Sequence, residues 1–140
     1  MSLGLPQRPY KFKKRIFGTT AALAPLILLI VSIVFGVLKQ RQSNSVGIGC
    51  MVAAFAVALI NFYLSFVRPL LFRFRNGSMN NFRFISGIPI VGTNLIVLGA
   101  LFGFGSVGVG AIGLLAVALD TGGSGWFLIA TWKDGSLWEK

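Results

Sequence analysis

Between Phe17 and Leu38 the chain has no charged side chain. As a helix rising 1.5 Å per residue, this run of 22 residues would be about 33 Å long, one hydrocarbon thickness of a bilayer with slight tilt. The pattern recurs over residues 46–72, 84–103 and 106–132, each run predominantly apolar and bounded by polar or glycine-rich sequence. Four such runs predict an all-α membrane protein, a four-transmembrane-helix bundle occupying residues 17–132. A basic cytoplasmic segment, 1–16, would precede it, and a short cytoplasmic tail, 133–140, would follow. The fourth run is the irregular one: Asp120-Thr-Gly-Gly-Ser-Gly125 interrupts it, so its helix is open to a break at 120–125. Pro25 lies in the first half of the first run, where it would kink the helix or mark its first turns.

A basic start before an apolar run also describes a secretory signal peptide. This run exceeds the usual apolar core of about 7–15 residues. No small-x-small cleavage site precedes Lys39-Gln-Arg-Gln-Ser-Asn-Ser, so a retained first span is expected.

Hydrophobic residues make up 55% of the chain and charged residues 11%, against about 25% charged in soluble domains. With so few charges the chain cannot present a wetted surface all round. The net charge of +10 comes from 13 Lys and Arg set against Asp120, Asp134 and Glu139. Those bases sit at the ends of apolar runs rather than in a stripe, which points to topology signals and away from nucleic acid. Arg8, Lys11, Lys13, Lys14 and Arg15 precede the first run, while Arg68, Arg73, Arg75 and Arg83 flank the second loop. Lys133 and Lys140 follow the last run, and only Lys39 and Arg41 fall on the other side. The positive-inside rule therefore predicts one orientation with both termini cytoplasmic, as in a multi-pass protein of a bacterial inner membrane. Trp126, Trp132 and Trp138 suit the interface where the last span leaves the bilayer. Arg8, Lys11, Lys13, Lys14, Arg15, Arg73, Arg75 and Arg83 are placed to meet anionic headgroups or a protein partner.

The chain has no His and a single Cys, Cys50. A lone Cys makes no intramolecular disulfide, and the commonest general base and metal ligand is missing. No metal site, no cofactor and no catalytic set is expected, and enzyme activity is not predicted.

Two motif-like strings have plainer explanations. Gly103-Phe-Gly105-Ser-Val-Gly108-Val-Gly110-Ala-Ile-Gly113 matches G-x-G-x-x-G twice. Its flanks are apolar runs of bilayer length rather than a βαβ unit, so Gly99, Gly103, Gly108, Gly110 and Gly113 are read as helix-packing positions. Asp120-Thr121-Gly122 has the form of an aspartic-protease triplet, but it interrupts a helix-length apolar run. Taken by depth along the spans, Asn61, Thr93, Asn94 and Asp120 can form an intramembrane polar cluster. There, Asp120 would either hold an ion, proton or solute beside a broken helix, or cap a second short helix by accepting N–H bonds from Gly122 or Gly123.

Small multidrug transporters and fluoride channels are four-span chains of similar size. The first group needs a carboxylate in the first span, which Phe17–Leu38 lacks, and the early Gly-Arg motif of the second is missing, so no family is assigned. The expected function is that of a small polytopic membrane protein acting through helix–helix or protein–protein contacts: an accessory, assembly or immunity-type protein with a partner or a second copy in the membrane. The alternative is an oligomeric ion or small-solute channel or transporter using Asp120 and Asn61.

Overall fold

The structure is a computed structural model that describes residues 12–39 and 44–132, with side chains described from Ile16 onward. Arg8, Lys11, Arg41, Lys133, Trp138 and Lys140, named above from the sequence, lie outside the described residues, and the side chains of Lys13, Lys14 and Arg15 do as well. Among the described residues the regular structure is helical throughout, without a strand. Helix α1 is Phe12–Lys39, α2 is Ser45–Phe62, α3 is Arg68–Asn76, α4 is Val91–Phe102, α5 is Val107–Leu119 and α6 is Ser124–Thr131.

Helix α1 begins at Phe12, inside the segment expected to form a separate basic arm. Pro25 is therefore interior to the helix and not in its first turns. Asn44 starts α2 by accepting a hydrogen bond from Val46 N at 3.0 Å. Helices α2 and α3 are continuous through a single π-helical turn, Tyr63–Val67. Pro69 gives the reason: it lacks an N–H, and its ring crowds the carbonyl four residues back, which a wider turn relieves. The composite helix ends at Gly77, whose φ of 69° places it in the left-handed region while its N–H bonds Arg73 O at 2.9 Å.

Three stretches are long and apolar enough to cross a membrane: Ile16–Lys39, Ser45–Asn76 and Val107–Thr131. Only 22% of the most apolar window of each is buried inside the bundle, so an apolar exterior is left that requires apolar surroundings. Between helices in lipid the hydrophobic effect supplies little, and close van der Waals packing carries the association. The core is accordingly thin: Leu29, Met51, Ile96 and Val109 among Ala54, Ala58, Ala100 and Ala116, all at 0 or 1% exposure. Gly113 faces Leu29 and Met51, Gly110 faces Ile33, and Gly99 faces Met51. Gly103 packs on Val109, and Gly36 and Gly47, not singled out from sequence, meet the backbone of Gly105 and Gly103. Gly108 is exposed with nothing near it, so its expected packing role is not seen within this chain.

The third apolar run departs from expectation. It is helical only over the 12 residues Val91–Phe102, about 18 Å. Residues 82–88 run as an irregular arm and 89–90 as a turn. Pro89 disfavours helical geometry at Ile88, and Val91 N bonds Pro89 O at 2.8 Å across Ile90, whose φ is 68°. That is a tight turn around a β-branched residue held in the left-handed region. The fourth run is interrupted within the segment foreseen for it: α5 ends at Leu119 and α6 starts at Ser124.

The glycine contacts make a direct prediction. A Cβ on Gly47 would lie 2.7 Å from Gly103 Cα and N, both backbone atoms. A Cβ on Gly49, one face away on the same helix, meets nothing within 4 Å. Gly47→Ala is expected to destabilise the bundle by about 1–3 kcal/mol, and Gly49→Ala to leave it unchanged or stabilise it by up to about 1 kcal/mol. Unfolding titrations in mixed mild detergent and dodecyl sulfate measure both.

Candidate functional site

The two interruptions face each other. Where α5 stops, the carbonyls at its end must find donors. Asp120 N bonds Ala116 O at 2.8 Å, Thr121 N bonds Leu119 O at 2.9 Å, and the Trp126 indole Nε1 donates to Ala118 O at 3.1 Å. Gly123 N then bonds the backbone carbonyl of Asp120 at 2.8 Å, and Ser124 N donates to Thr93 Oγ1 at 3.3 Å. Ser124 Oγ reaches α1, donating to Ala22 O at 2.9 Å within the turn before Pro25.

Although the break is satisfied within the bundle, the side-chain cap expected of Asp120 is not formed. Its side chain does not cap α6: Gly123 bonds its backbone oxygen, and α6 has no side-chain cap. The carboxylate turns inward and is 1% exposed. Oδ1 accepts from Asn61 Nδ2 at 2.6 Å, and Oδ2 is buried with no hydrogen-bond partner.

Asn61, fully buried on α2, is the hub. Its Nδ2 also donates to Ile88 O at 3.1 Å, and its Oδ1 accepts from Ile88 N at 2.7 Å. The amide thus reads both backbone groups of one arm residue, as an adjacent strand would. A third tie, Ile90 N to Gly122 O at 3.3 Å, joins the turn before α4 to the α5–α6 break. Glycines make room for all of this. A Cβ on Gly87 would lie 2.5 Å from Asn61 Oδ1, and one on Gly122 would lie 2.8 Å from Asn61 Nδ2. A Cβ on Gly123 would lie 2.8 Å from Asp120 Oδ2, and one on Gly92 would collide with the same oxygen.

Beside Asp120 is a cavity of about 40 Å³ lined by Asp120, Thr93 and Ser124 together with apolar residues that include Leu23, Ile96 and Val117. That is room for one or a few waters. Of the polar residues grouped from sequence, Asn61 and Asp120 touch and Thr93 shares the cavity. Asn94 does not join them. It is exposed, in a groove between α1 and α4 lined also by Thr20, Ala21 and Ala24, and its amide has no hydrogen bond within the described residues.

Among the basic residues, Arg73, Arg75 and Arg83 are exposed. Arg68 donates from Nη1 to Arg83 O at 3.1 Å and stacks over Phe82 at 5.1 Å, fixing the lower end of the arm. Sequence reasoning placed Gly122 and Gly123 beside Asp120 but missed Ile88, Ser124, Gly87 and Gly92 as parts of the same centre. Gly87-Ile-Pro89 was a visible interruption signal inside the third run. No group of three or more His, Cys, Asp or Glu that could hold a metal occurs among the described residues.

Compared with protein-family models, curated protein sequences and solved structures, the chain matches none of them.

Asn61→Ala would strip Ile88 of both backbone partners and Asp120 Oδ1 of its donor. Each buried group so abandoned costs about 1–3 kcal/mol. The expected result is a loss of at least about 2 kcal/mol of stability, with faster tryptic cleavage after Arg83 as the arm detaches. Unchanged cleavage at that bond would show that Asn61 does not anchor the arm.

Proposed function

We propose that this chain is a small multi-pass membrane protein of channel or transporter type, in which Asp120, held by Asn61, binds a transported or coupling cation, the proton included. One observation carries the reading: a carboxylate buried to 1% exposure keeps Oδ2 without a partner, beside a cavity, where two helices are interrupted. A carboxylate serving structure alone in a bilayer is expected to have both oxygens satisfied, since an ionised one at mid-span costs at least about 2.5–3.5 kcal/mol. Interrupted helices that meet at a polar centre are a recurrent way of building ion sites in membranes.

In this reading the chain crosses four times. The third crossing is the arm plus α4, and the fourth is α5 plus α6. Ser45 to Arg68 spans about 35 Å, one bilayer. Asn61 would then lie about 24 Å from the Ser45 end and Asp120 about 20 Å from the Val107 end, in the inner half. The excess of Lys and Arg at the Arg68–Arg83 end supports a cytoplasmic location for that end and for both termini. Reconstituted in vesicles, Asp120→Asn is expected to lose most of the cation or proton flux of the parent while keeping its elution profile and melting behaviour. Equal flux in the two proteins rejects the reading, as does a parent that conducts nothing.

A second reading, action through helix–helix contacts as an accessory, assembly or immunity-type protein, is favoured by Asn94. An exposed amide about 12 Å from the Phe102 end of α4 finds no partner in lipid, whereas a helix laid into the groove of about 700 Å³ beside Thr20, Ala21 and Ala24 could provide one. If that reading holds, Asn94→Leu lowers the cross-linked oligomer or complex recovered from native membranes by several-fold, since an interhelical amide contributes about 1–2 kcal/mol. An unchanged cross-linking pattern counts against it.

A further inference from the structure

We infer that the recess between α3 and the arm binds the phosphate of an anionic phospholipid through Arg68, Arg75 and Arg83; this rests on the four-crossing arrangement that sets the Arg68 end at the membrane surface, and not on the reading of Asp120. Arg68, Leu71, Phe72 and Arg75 follow one another at i, i+3, i+4 and i+7, so they share one face of α3. The two arginines are about 10 Å apart along its axis. The chain then turns back through Gly77 and Asn81, both with positive φ, and Phe82 N bonds Met79 O at 3.1 Å. The returning arm packs against that face of α3. The Phe72 and Phe82 rings lie 4.9 Å apart, and Arg68 Nη1 donates to Arg83 O. Between them is a recess of about 420 Å³ lined by all three arginines, within the range of about 300–1,000 Å³ usual for small-molecule sites.

The chemistry of the recess selects the ligand. Among the described residues the only acid is Asp120, buried in the bundle against Asn61, so the three arginines share one recess with no counter-charge beside them. One N–H of Arg68 is used by Arg83 O, and the side chains of Arg75 and Arg83 donate to nothing within the described residues. The loop between the second and third apolar runs carries arginine and no lysine. Either base serves as a topology signal, whereas a planar fork that binds two oxygens of one phosphate requires arginine. A choline headgroup is disfavoured, because Arg68 lies over the Phe82 ring at 5.1 Å and would meet a quaternary ammonium as a like charge. Leu71, Phe72 and Phe82 complete the wall, and Leu71 is exposed, as is Phe84 beside the Phe82 ring. Such surfaces suit the glycerol and first acyl carbons of a lipid, and a free phosphate ion makes no use of them. Arg73, expected from sequence to act with Arg75 and Arg83, lines a separate recess with Leu70 and Phe74 and is not part of the site.

The test titrates the full-length protein in a neutral detergent with phosphatidylglycerol or phosphatidylcholine of the same acyl chains and reads bound lipid by native mass spectrometry. A neutral micelle lacks the surface potential through which scattered bases attract lipid, so retention there reports a contact. Phosphatidylglycerol is expected to be retained in preference, as a single bound lipid. Arg75→Gln is expected to lower that retention about tenfold, the loss of a charge-assisted hydrogen bond. Arg73→Gln removes the same charge and is expected to retain lipid as the parent does. Arg75 makes no hydrogen bond within the described residues, so its variant tests the site without detaching the arm, as Arg68→Gln would. Equal retention of the two lipids, or an equal loss in Arg73→Gln, overturns the site. Displacement of phosphatidylglycerol by excess inorganic phosphate overturns the lipid and assigns the recess to the free ion. The placement is read separately: Asn76→Cys in a Cys50→Ser background is expected to react with a water-soluble maleimide in opened membrane vesicles. Absence of that reaction removes the four-crossing arrangement together with the site, whereas reaction without lipid preference rejects the site alone.

Discussion

The fold depends on satisfying backbone polar groups where helices stop inside an apolar surrounding. A helix satisfies its own N–H and C=O groups, and each interruption releases some of them where apolar surroundings offer no replacement. This chain has two interruptions, the arm before α4 and the α5–α6 break, and it sets them side by side. Asn61 then supplies what neither provides alone. One amide offers two donors and an acceptor, and all of them are used: two bonds to Ile88 and one to Asp120. A hydrophobic residue at position 61 would fill the space and leave the backbone of Ile88 without partners.

The same constraint divides the bundle into two unlike halves. Toward the Ser45 and Gly103 end the helices are regular and approach through Gly36, Gly47, Gly99 and Gly103, with Ser32 Oγ accepting from Gly105 N at 2.9 Å to seal the α4–α5 turn. Close approach needs small residues, and small residues leave no room for a polar cavity. Toward the Arg68 end the arm replaces a helix, which thins the packing. The glycines there serve a different purpose: Gly87, Gly92, Gly122 and Gly123 surround side-chain oxygens and nitrogens instead of neighbouring backbones. One residue type thus does two jobs, and composition alone does not separate them.

That difference explains what could be read from the sequence. Apolar runs and charge at their ends gave the helical class, because hydropathy over twenty residues is a strong signal and belongs to each run separately. The break near Asp120 was legible because Gly122-Gly123 beside a charge is a local signal. The arm was not. Residues 84–102 are as apolar as a helix of that length, and Ile88 leaves helical geometry because Pro89 follows it and because Asn61, 27 residues away, captures its backbone. The meeting of Asn61 with Asp120 followed from depth along the spans, since two residues at one level in a narrow bundle are near neighbours. Depth says nothing about azimuth, which is why Asn94 was grouped with them although it points out of the bundle.

Ile90 ties the strain in this arrangement to its chemistry. A β-branched residue with φ near 68° costs of the order of 1–3 kcal/mol, and it persists only where the surroundings over-determine it. Its N–H is held by Gly122, its carbonyl accepts from Asn94 N at 2.9 Å, and the residue two before it is held by Asn61. The three elements that fix Ile90 also surround Asp120: Asn61, the Gly122–Gly123 corner and the first turn of α4. Any rearrangement that loosens Asn61 from Asp120 also removes a restraint on Ile90, and relaxation of Ile90 would lengthen α4 by drawing Ile88 toward helical geometry only if Pro89 allowed it. Pro89 does not, so the relaxed arm has nowhere helical to go. The proline and the Asn61 amide together hold the strain in place, and Asn61 is the side chain that joins Asp120 to this backbone.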